Sequence, residues 1–281
     1  MSDTAQQETI YKLGVIGDPV KHSLSPLIHN HWLARYGFKG DYGLMPCTPQ
    51  ILGQAVETMK AQGFAGFNVT LPHKQTIMEY CDTIDVKAQA VGAVNCVVID
   101  KDGVLHGYNS DVYGFGENLE NATKGRDFAA PLIVGAGGAA RAALYYFVQK
   151  GCPNITIVNR TPEKAGLLAE EFKCNFVQWD EKDAAAKKSD VIVNTTSLGM
   201  LGMEALMFDR EGLDKDTVFY DIVYTPMMTP FLREAKAAGH EIVGGIGMLY
   251  HQAAQAFELW SGVMPTVDEA LALKMKDVLK S

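Results

Sequence analysis

Six consecutive residues constrain this chain more than any others: Gly135-Ala136-Gly137-Gly138-Ala139-Ala140. They stand between an apolar run, Leu132-Ile133-Val134, and an apolar stretch through Ala143, Leu144, Phe147 and Val148. Glycine at the first and third positions and a small residue at the sixth suit a strand-to-helix turn on which a diphosphate lies. Gly135 permits the tight turn, Gly137 lets phosphate approach the backbone, and Ala140 lets helix pack on strand. The amides from Ala136 to Ala139 then sit at the positive end of the helix. This pattern predicts the dinucleotide-binding turn of a doubly wound parallel sheet.

The surrounding rhythm supports that expectation. Short apolar segments at 131–134, 154–158, 175–177, 191–194, 218–222 and 241–243 alternate with helical or loop segments, the signature of a Rossmann-type parallel sheet. The second of these strands ends in Asn159-Arg160-Thr161, where an NAD site usually carries an acidic residue for the ribose 2′-hydroxyl. A guanidinium there suits a 2′-phosphate, which predicts NADP over NAD. The alternative is that Arg160 is a solvated surface charge. Thr195, Thr196 and Ser197 close the fourth strand, where loops meet the nicotinamide half of a dinucleotide; a turn or capping role competes with cofactor contact there.

The amino-terminal hundred residues repeat the alternation less regularly. Strands are expected near 13–16, 42–45 and 67–69, and helices from Ser25-Pro26 onward, over 49–62 and after Pro72. Segments 93–100 and 104–108, joined by Lys101-Asp102-Gly103, read as a hairpin, and a helix follows from Asp111 to about Asn121. Helices at 245–260 and 266–279 are surplus to the second sheet and are expected to pack back on the first domain. The expected class is α/β, with a discontinuous substrate domain of residues 1–111 and 246–281 and a Rossmann NADP domain of residues 112–245. The two should face each other across a cleft and hinge as ligands enter. At 281 residues the chain is long enough for two such cores.

Composition narrows the functional classes. With 25 Lys and Arg against 33 Asp and Glu, the net charge of -8 argues against a sequence-independent nucleic-acid binder. No apolar run approaches the roughly 20 residues of a membrane helix. The polar start, Met1 to Thr9, carries no secretory pattern, so a cytoplasmic protein is expected. The five cysteines are widely spaced without a CxxC pair, and the histidines show no metal spacing. No metal is therefore expected.

Five polar clusters give the chain a family likeness. They are His22-Ser23-Leu24-Ser25-Pro26, Asn68-Val69-Thr70-Leu71-Pro72-His73-Lys74, Gly92-Ala93-Val94-Asn95, Gly107-Tyr108-Asn109-Ser110-Asp111, and the segment from Gly244 to Gln252. In this order, around this glycine loop, the chain resembles the shikimate dehydrogenase family over almost its whole length. The resemblance implies NADP-dependent, reversible reduction of 3-dehydroshikimate to shikimate in aromatic amino-acid biosynthesis. It implies a catalytic pair, Lys74 and Asp111, leaving open which of them carries the proton. Hydride arriving at a ketone leaves an alkoxide that needs a proton donor, and the reverse reaction needs the same group as base.

By the same likeness, Ser23 and Ser25 bind the substrate carboxylate, although Ser25 is equally suited to cap the first helix. Asn68, Thr70, Asn95 and Gln252 read ring hydroxyls, and Tyr224 stands near substrate and cofactor. Ile222, Gly245 and Met248 flank the nicotinamide. The implied partner is a small molecule, with no nucleic acid or membrane, and a homodimer is compatible with the sequence. One departure is Asn109-Ser110-Asp111-Val112 where the family commonly has Asn-Thr-Asp-Gly, which keeps quinate open as a rival substrate. A nucleotide-sensing relative without catalysis is the rival from another class; the presence of both Lys74 and Asp111 speaks against it.

Overall fold

The computed structural model describes residues 10–280, and the chain divides into two compact units. The first runs to Ser110 and takes in Ala253–Lys276; the second is Asp111–Gln252 with the residues from Asp277 onward.

The first unit begins with β1 (Ile10–Gly17), α1 (Ser25–Arg35), β2 (Lys39–Pro46), α2 (Leu52–Ala61) and β3 (Gly66–Val69). It continues through β4 (Thr83–Ile84), α3 (Val86–Val91), β5 (Cys96–Ile99) and β6 (Leu105–Tyr108). The six strands form one sheet in the order β2-β1-β3-β5-β6-β4. β1 pairs in parallel with β2 and β3, whereas β5 runs antiparallel to β3 and β6. The β5–β6 pair is the hairpin: Asp100 accepts the amides of Asp102 and Val104, and Gly103 takes a left-handed φ of 78°.

Two local expectations are corrected. After Pro72 only a 3-10 turn forms, Thr76–Tyr80, because the chain must re-enter the sheet at β4, where the Asp82 carboxylate accepts the amide of Leu105. The first helix has Leu24, not Ser25, at its cap position, and Ser25 makes no capping bond. Pro26 therefore sits at the second helical position, and Ser25 points its hydroxyl elsewhere.

The second unit contains α4 (Asp111–Thr123), β7 (Pro131–Val134), α5 (Gly138–Gln149), β8 (Thr156–Val158), α6 (Pro162–Phe172), β9 (Asn175–Val177) and α7 (Lys182–Ala186). It continues with β10 (Val191–Asn194), β11 (Val218–Asp221), α8 (Pro230–Ala237) and β12 (Ile242–Val243). All pairs are parallel, in the order β12-β11-β10-β7-β8-β9. The strand order reverses between β7 and β10, the switch point at which such sheets take their ligands. Period-two alternation fills both faces of the sheet. Ile133 and Val193 join Phe115, Phe147 and Tyr220 on one side, while Leu132, Val134 and Ile192 join Phe219, Phe231 and Leu232 on the other.

The chain then passes through α9 (Ile246–Ser261), whose first turns belong to the second unit and whose remainder belongs to the first, and ends in α10 (Glu269–Lys280). In the first unit Phe257 and Trp260 lie against Trp32 and His29, with ring centroids 5.2 to 5.7 Å apart for Trp32–Phe257 and His29–Trp260. The Trp260 indole donates to the Val97 carbonyl at 3.0 Å, and the Trp32 indole to the Thr266 carbonyl at 3.1 Å. No helix among the described residues is long and apolar enough to cross a membrane.

Candidate active site

In the first unit, sheet topology gathers the polar clusters that are far apart in sequence. Thr70 follows β3, and its amide donates to the Ile16 carbonyl of β1 at 2.9 Å. Its methyl lies over Gly17, where a side-chain carbon would stand 2.3 Å from Thr70 Cγ2. Asn95 leads into β5, which the antiparallel register sets beside the end of β3, and its carbonyl accepts the Val69 amide at 2.8 Å. Lys74 is fixed through its backbone, its carbonyl accepting the Val94 amide at 2.8 Å. His73 anchors the same loop by an Nε2 contact to the Cys47 carbonyl at 2.5 Å.

The side chains form a hydrogen-bonded group, half-buried at Ser23 and buried from Ser25 inward. Ser23 Oγ donates to Ser25 Oγ at 3.2 Å and accepts the Ser25 amide at 3.3 Å. Asn68, 6% exposed, donates from Nδ2 to the Asn95 carbonyl at 3.1 Å. Asn95 Oδ1 accepts the Ser110 amide at 2.7 Å, and its Nδ2 donates to Ser110 Oγ at 3.0 Å. The residue that ties this group together escapes sequence reasoning. Tyr42 Oη donates to Asn68 Oδ1 at 2.7 Å. Burial holds its phenol well above the ordinary value, and a hydrogen bond with Ser25 acts in the opposite direction. Tyr42 is therefore a neutral donor that fixes which way the Asn68 amide faces. Its ring stacks on the buried His29 at 4.4 Å. The only sequence signal was an aromatic residue in β2.

In the second unit the glycine turn has the expected shape. Gly135 has φ 118°, and a side-chain carbon there would stand 2.5 Å from Thr195 Oγ1. Thr195 in turn donates to the Val134 carbonyl at 2.7 Å, so β7 and β10 are closed on each other at their carboxyl ends. Gly137 stands at the cap position of α5 with no side-chain capping bond, and a side-chain carbon built on it meets no heavy atom within 4 Å. The exposed Gly137 and the half-buried Ala136, Gly138 and Ala139 present a bare backbone cradle at a helix amino terminus. This arrangement fits a dinucleotide diphosphate.

Asn159 turns the chain after β8 by donating to the Thr161 carbonyl at 2.9 Å, and Thr161 and Pro162 start α6. Arg160 is left on the surface, 59% exposed. Thr196 is part of a turn: its amide and hydroxyl both donate to Asn194 Oδ1, at 3.0 and 2.7 Å, while its Oγ1 accepts the Leu198 amide. Ser197 is exposed.

Below that turn lies a second group missed in sequence. Asn194 Nδ2 donates to Asp221 Oδ1 at 3.0 Å, the Val223 amide donates to the same oxygen at 3.0 Å, and Thr229 Oγ1 donates to Oδ2 at 2.6 Å. These bonds lock the ends of β10 and β11, and hence Ile222 and Tyr224, into one frame. Gly245 is needed at the next crossing: a side-chain carbon there would lie 2.1 Å from the Ile222 carbonyl oxygen. The first turns of α9 then pack on α4 through Gly114 and Gly247, where a side-chain carbon would collide with Gln252 and Asn118 respectively. Met248 is buried in this crossing, and Gln252 donates to the Leu249 carbonyl at 3.0 Å. Asp111 opens α4 and is 5% exposed. Among the described residues no group of three His, Cys, Asp or Glu side chains is arranged to hold a metal ion.

Residues 15–97 match the shikimate dehydrogenase substrate binding domain, residues 120–225 the shikimate / quinate 5-dehydrogenase family, and residues 245–272 the shikimate 5′-dehydrogenase C-terminal domain. The chain belongs to the shikimate dehydrogenase family. A family member from Paracoccus denitrificans, shikimate dehydrogenase (NADP(+)), is 42% identical over 262 residues, covering 92% of this chain and 93% of its own. The crystal structure of Thermus thermophilus shikimate 5-dehydrogenase in complex with NADP(H) and shikimate has a TM-score of 0.85 at 34% identity, over 96% of this chain and 99% of that one. Quinate dehydrogenase from Corynebacterium glutamicum in complex with NAD has a TM-score of 0.88 at 29% identity, over 97% of this chain and all 100% of its own. A protein named for another substrate thus shares this fold.

Proposed function

We propose that this chain is an NADP-dependent shikimate dehydrogenase, reversibly reducing 3-dehydroshikimate to shikimate in aromatic amino-acid biosynthesis. The observation that carries the reading is the group Ser23–Ser25–Tyr42–Asn68–Asn95, half-buried at Ser23 and buried beyond it, a set of hydroxyls and amides suited to a small polyhydroxy acid. The first unit is assigned the substrate and the second the dinucleotide.

The Ser23 and Ser25 hydroxyls, 3.2 Å apart, are assigned the substrate carboxylate, which they can bind without a buried cation. Asn68, Thr70, Asn95 and Gln252 are assigned the ring hydroxyls. An analogue lacking one of those hydroxyls would leave a buried amide unpaired, which is a source of selectivity. Lys74 and Asp111 are assigned the proton that must reach the carbonyl oxygen in reduction and leave it in oxidation. NADPH supplies the hydride when bound.

Residues 135–139 hold the diphosphate on bare backbone, Asn159, Arg160 and Thr161 hold the adenosine 2′-phosphate, and Thr195, Thr196 and Ser197 contact the cofactor from the end of β10. Ile222, Tyr224, Gly245 and Met248 form the wall beside the nicotinamide. Cytoplasmic residence, a homodimer, and the lack of a nucleic-acid or membrane partner complete the proposal.

The test is the change in absorbance at the reduced-nicotinamide band with shikimate or quinate, each paired with NADP or NAD. Turnover chiefly with shikimate and NADP is expected. Preferential quinate oxidation would move the chain to the sister activity, and silence in all four pairings would overturn the enzymatic reading.

A further inference from the structure

The loop between β10 and β11 places an acid beside the cation assigned to the 2′-phosphate. Glu204 Oε2 stands 3.7 Å from Arg160 Nη1, with the two side chains 85% and 59% exposed. Both line a surface cavity of about 270 Å³ with Trp179, Lys182, Leu198 and Met207. The neighbouring cation, Lys182, already has a carboxylate partner in Asp183 at 2.9 Å.

Glu204 is not on a loose end. Its carbonyl accepts the Gly199 amide at 2.7 Å and Met203 bonds back to the Met200 carbonyl at 2.9 Å, closing a turn in which Gly199 and Gly202 have φ of 91° and 80°. Buried Leu206 anchors the far side.

The two dinucleotides meet this pair differently. A 2′-phosphate carries nearly two negative charges at neutral pH, so it must take Arg160 from Glu204 and then remain near a like charge. A ribose 2′-hydroxyl is neutral and can donate to a carboxylate, the way acidic residues read NAD in this kind of sheet. We propose that Glu204 is a specificity-determining residue that competes with the 2′-phosphate for Arg160 and so narrows the preference for NADP over NAD. This rests on the assignment of Arg160 to the 2′-phosphate.

The test is steady-state oxidation of shikimate with each cofactor by the parent protein, Glu204→Gln, Arg160→Ala and the double variant. Glutamine keeps the shape of the loop and removes the charge. Glu204→Gln is expected to raise the ratio of kcat/KM for NADP over NAD about three- to tenfold, the range for an exposed charge pair acting against a dianion. The gain should come from a lower KM for NADP with kcat unchanged. It should shrink at about 1 M salt, where the screening length is about 3 Å.

In the Arg160→Ala background, where NADP preference is already lost, the same change should have a smaller effect. An unchanged or lowered ratio in Glu204→Gln, with Arg160→Ala still abolishing NADP preference, would overturn the role of Glu204 alone. An unchanged ratio in Arg160→Ala would overturn the assignment of the 2′-phosphate beneath it.

Discussion

Asp221 gives a quantitative test of how the end of β11 is held. Its carboxyl is fully buried and accepts hydrogen bonds from Asn194, Val223 and Thr229. Burial pushes its pKa from the ordinary 3.8 up to about 6, with those three bonds acting in the opposite direction. Between these pH values the folded chain binds more protons than the unfolded one, so this group stabilises the fold fully below 3.8, and the contribution is lost as pH rises through about 6. At about 1.4 kcal/mol per tenfold change in proton affinity, keeping the carboxylate charged costs roughly 3 kcal/mol at neutral pH.

Asp221→Asn mimics the protonated form in size and charge. Its amide oxygen can still accept from Asn194 and Val223, and the Thr229 hydroxyl can rotate to accept from the new amide. The variant is therefore expected to be more stable than the parent by about 1–3 kcal/mol at pH 8, and nearly equal to it close to pH 4. Urea unfolding of both proteins at the two pH values, followed by circular dichroism, measures the difference directly. A variant less stable than the parent at pH 8, or shifted equally at both pH values, would refute the account of a carboxylate held charged against its burial.

Tyr42→Phe removes the donor that orients Asn68 and should raise KM for shikimate about five- to tenfold, leaving KM for NADP unchanged, in line with loss of one buried hydrogen bond; steady-state kinetics in both substrates would show an equal change in both if Tyr42 acted only on stability. Gly137→Ala puts a side-chain carbon into the cradle at the start of α5, where it meets no heavy atom beyond the neighbouring residues within 4 Å, so the melting temperature should hold while NADP affinity falls more than tenfold by fluorescence titration. Lys74→Ala should lower kcat by about a hundredfold or more with NADP binding nearly intact, and an equal loss of cofactor affinity would place Lys74 with the nucleotide instead of the proton.

The centre of the second sheet was legible because its strands β7, β10 and β11 are buried on both faces. Runs such as Leu132-Ile133-Val134 and Val191-Ile192-Val193 have no polar partner to confuse the period, and the bounds of the central strands β7 and β10 agree with those read from sequence. Short or edge elements were less visible. β4 is only Thr83–Ile84, partly exposed, and exists because β6 offers it a ladder 23 residues away. The glycine turn and the individual site residues could be read locally, but the atoms that hold them could not. Tyr42 meets Asn68 across 26 residues, and Asp221 meets Asn194 across 27. Neither pair has a spacing signal, since strand order brings them together. At Thr196 the sequence leaves a turn role nearly as open as cofactor contact, and two bonds to Asn194 show that the turn engages its hydroxyl.

The return of the chain to its first unit at Ala253 has a consequence for the order in which the protein is made. Strands β1 to β6 leave the ribosome with part of their core missing: the bare backbone of Gly66 and the Val97 carbonyl form the seat of Trp260, and Trp32 lies under Phe257. Those partners arrive roughly 150 residues later, which at about 5–20 residues per second is on the order of ten seconds. In that interval the intervening residues 111–252 emerge whole, so the part of the protein encoded in the middle can finish folding while the part encoded first still waits. A nascent chain stopped before α9 would show an open aromatic face around Trp32, the kind of surface that chaperones and proteases read as unfinished.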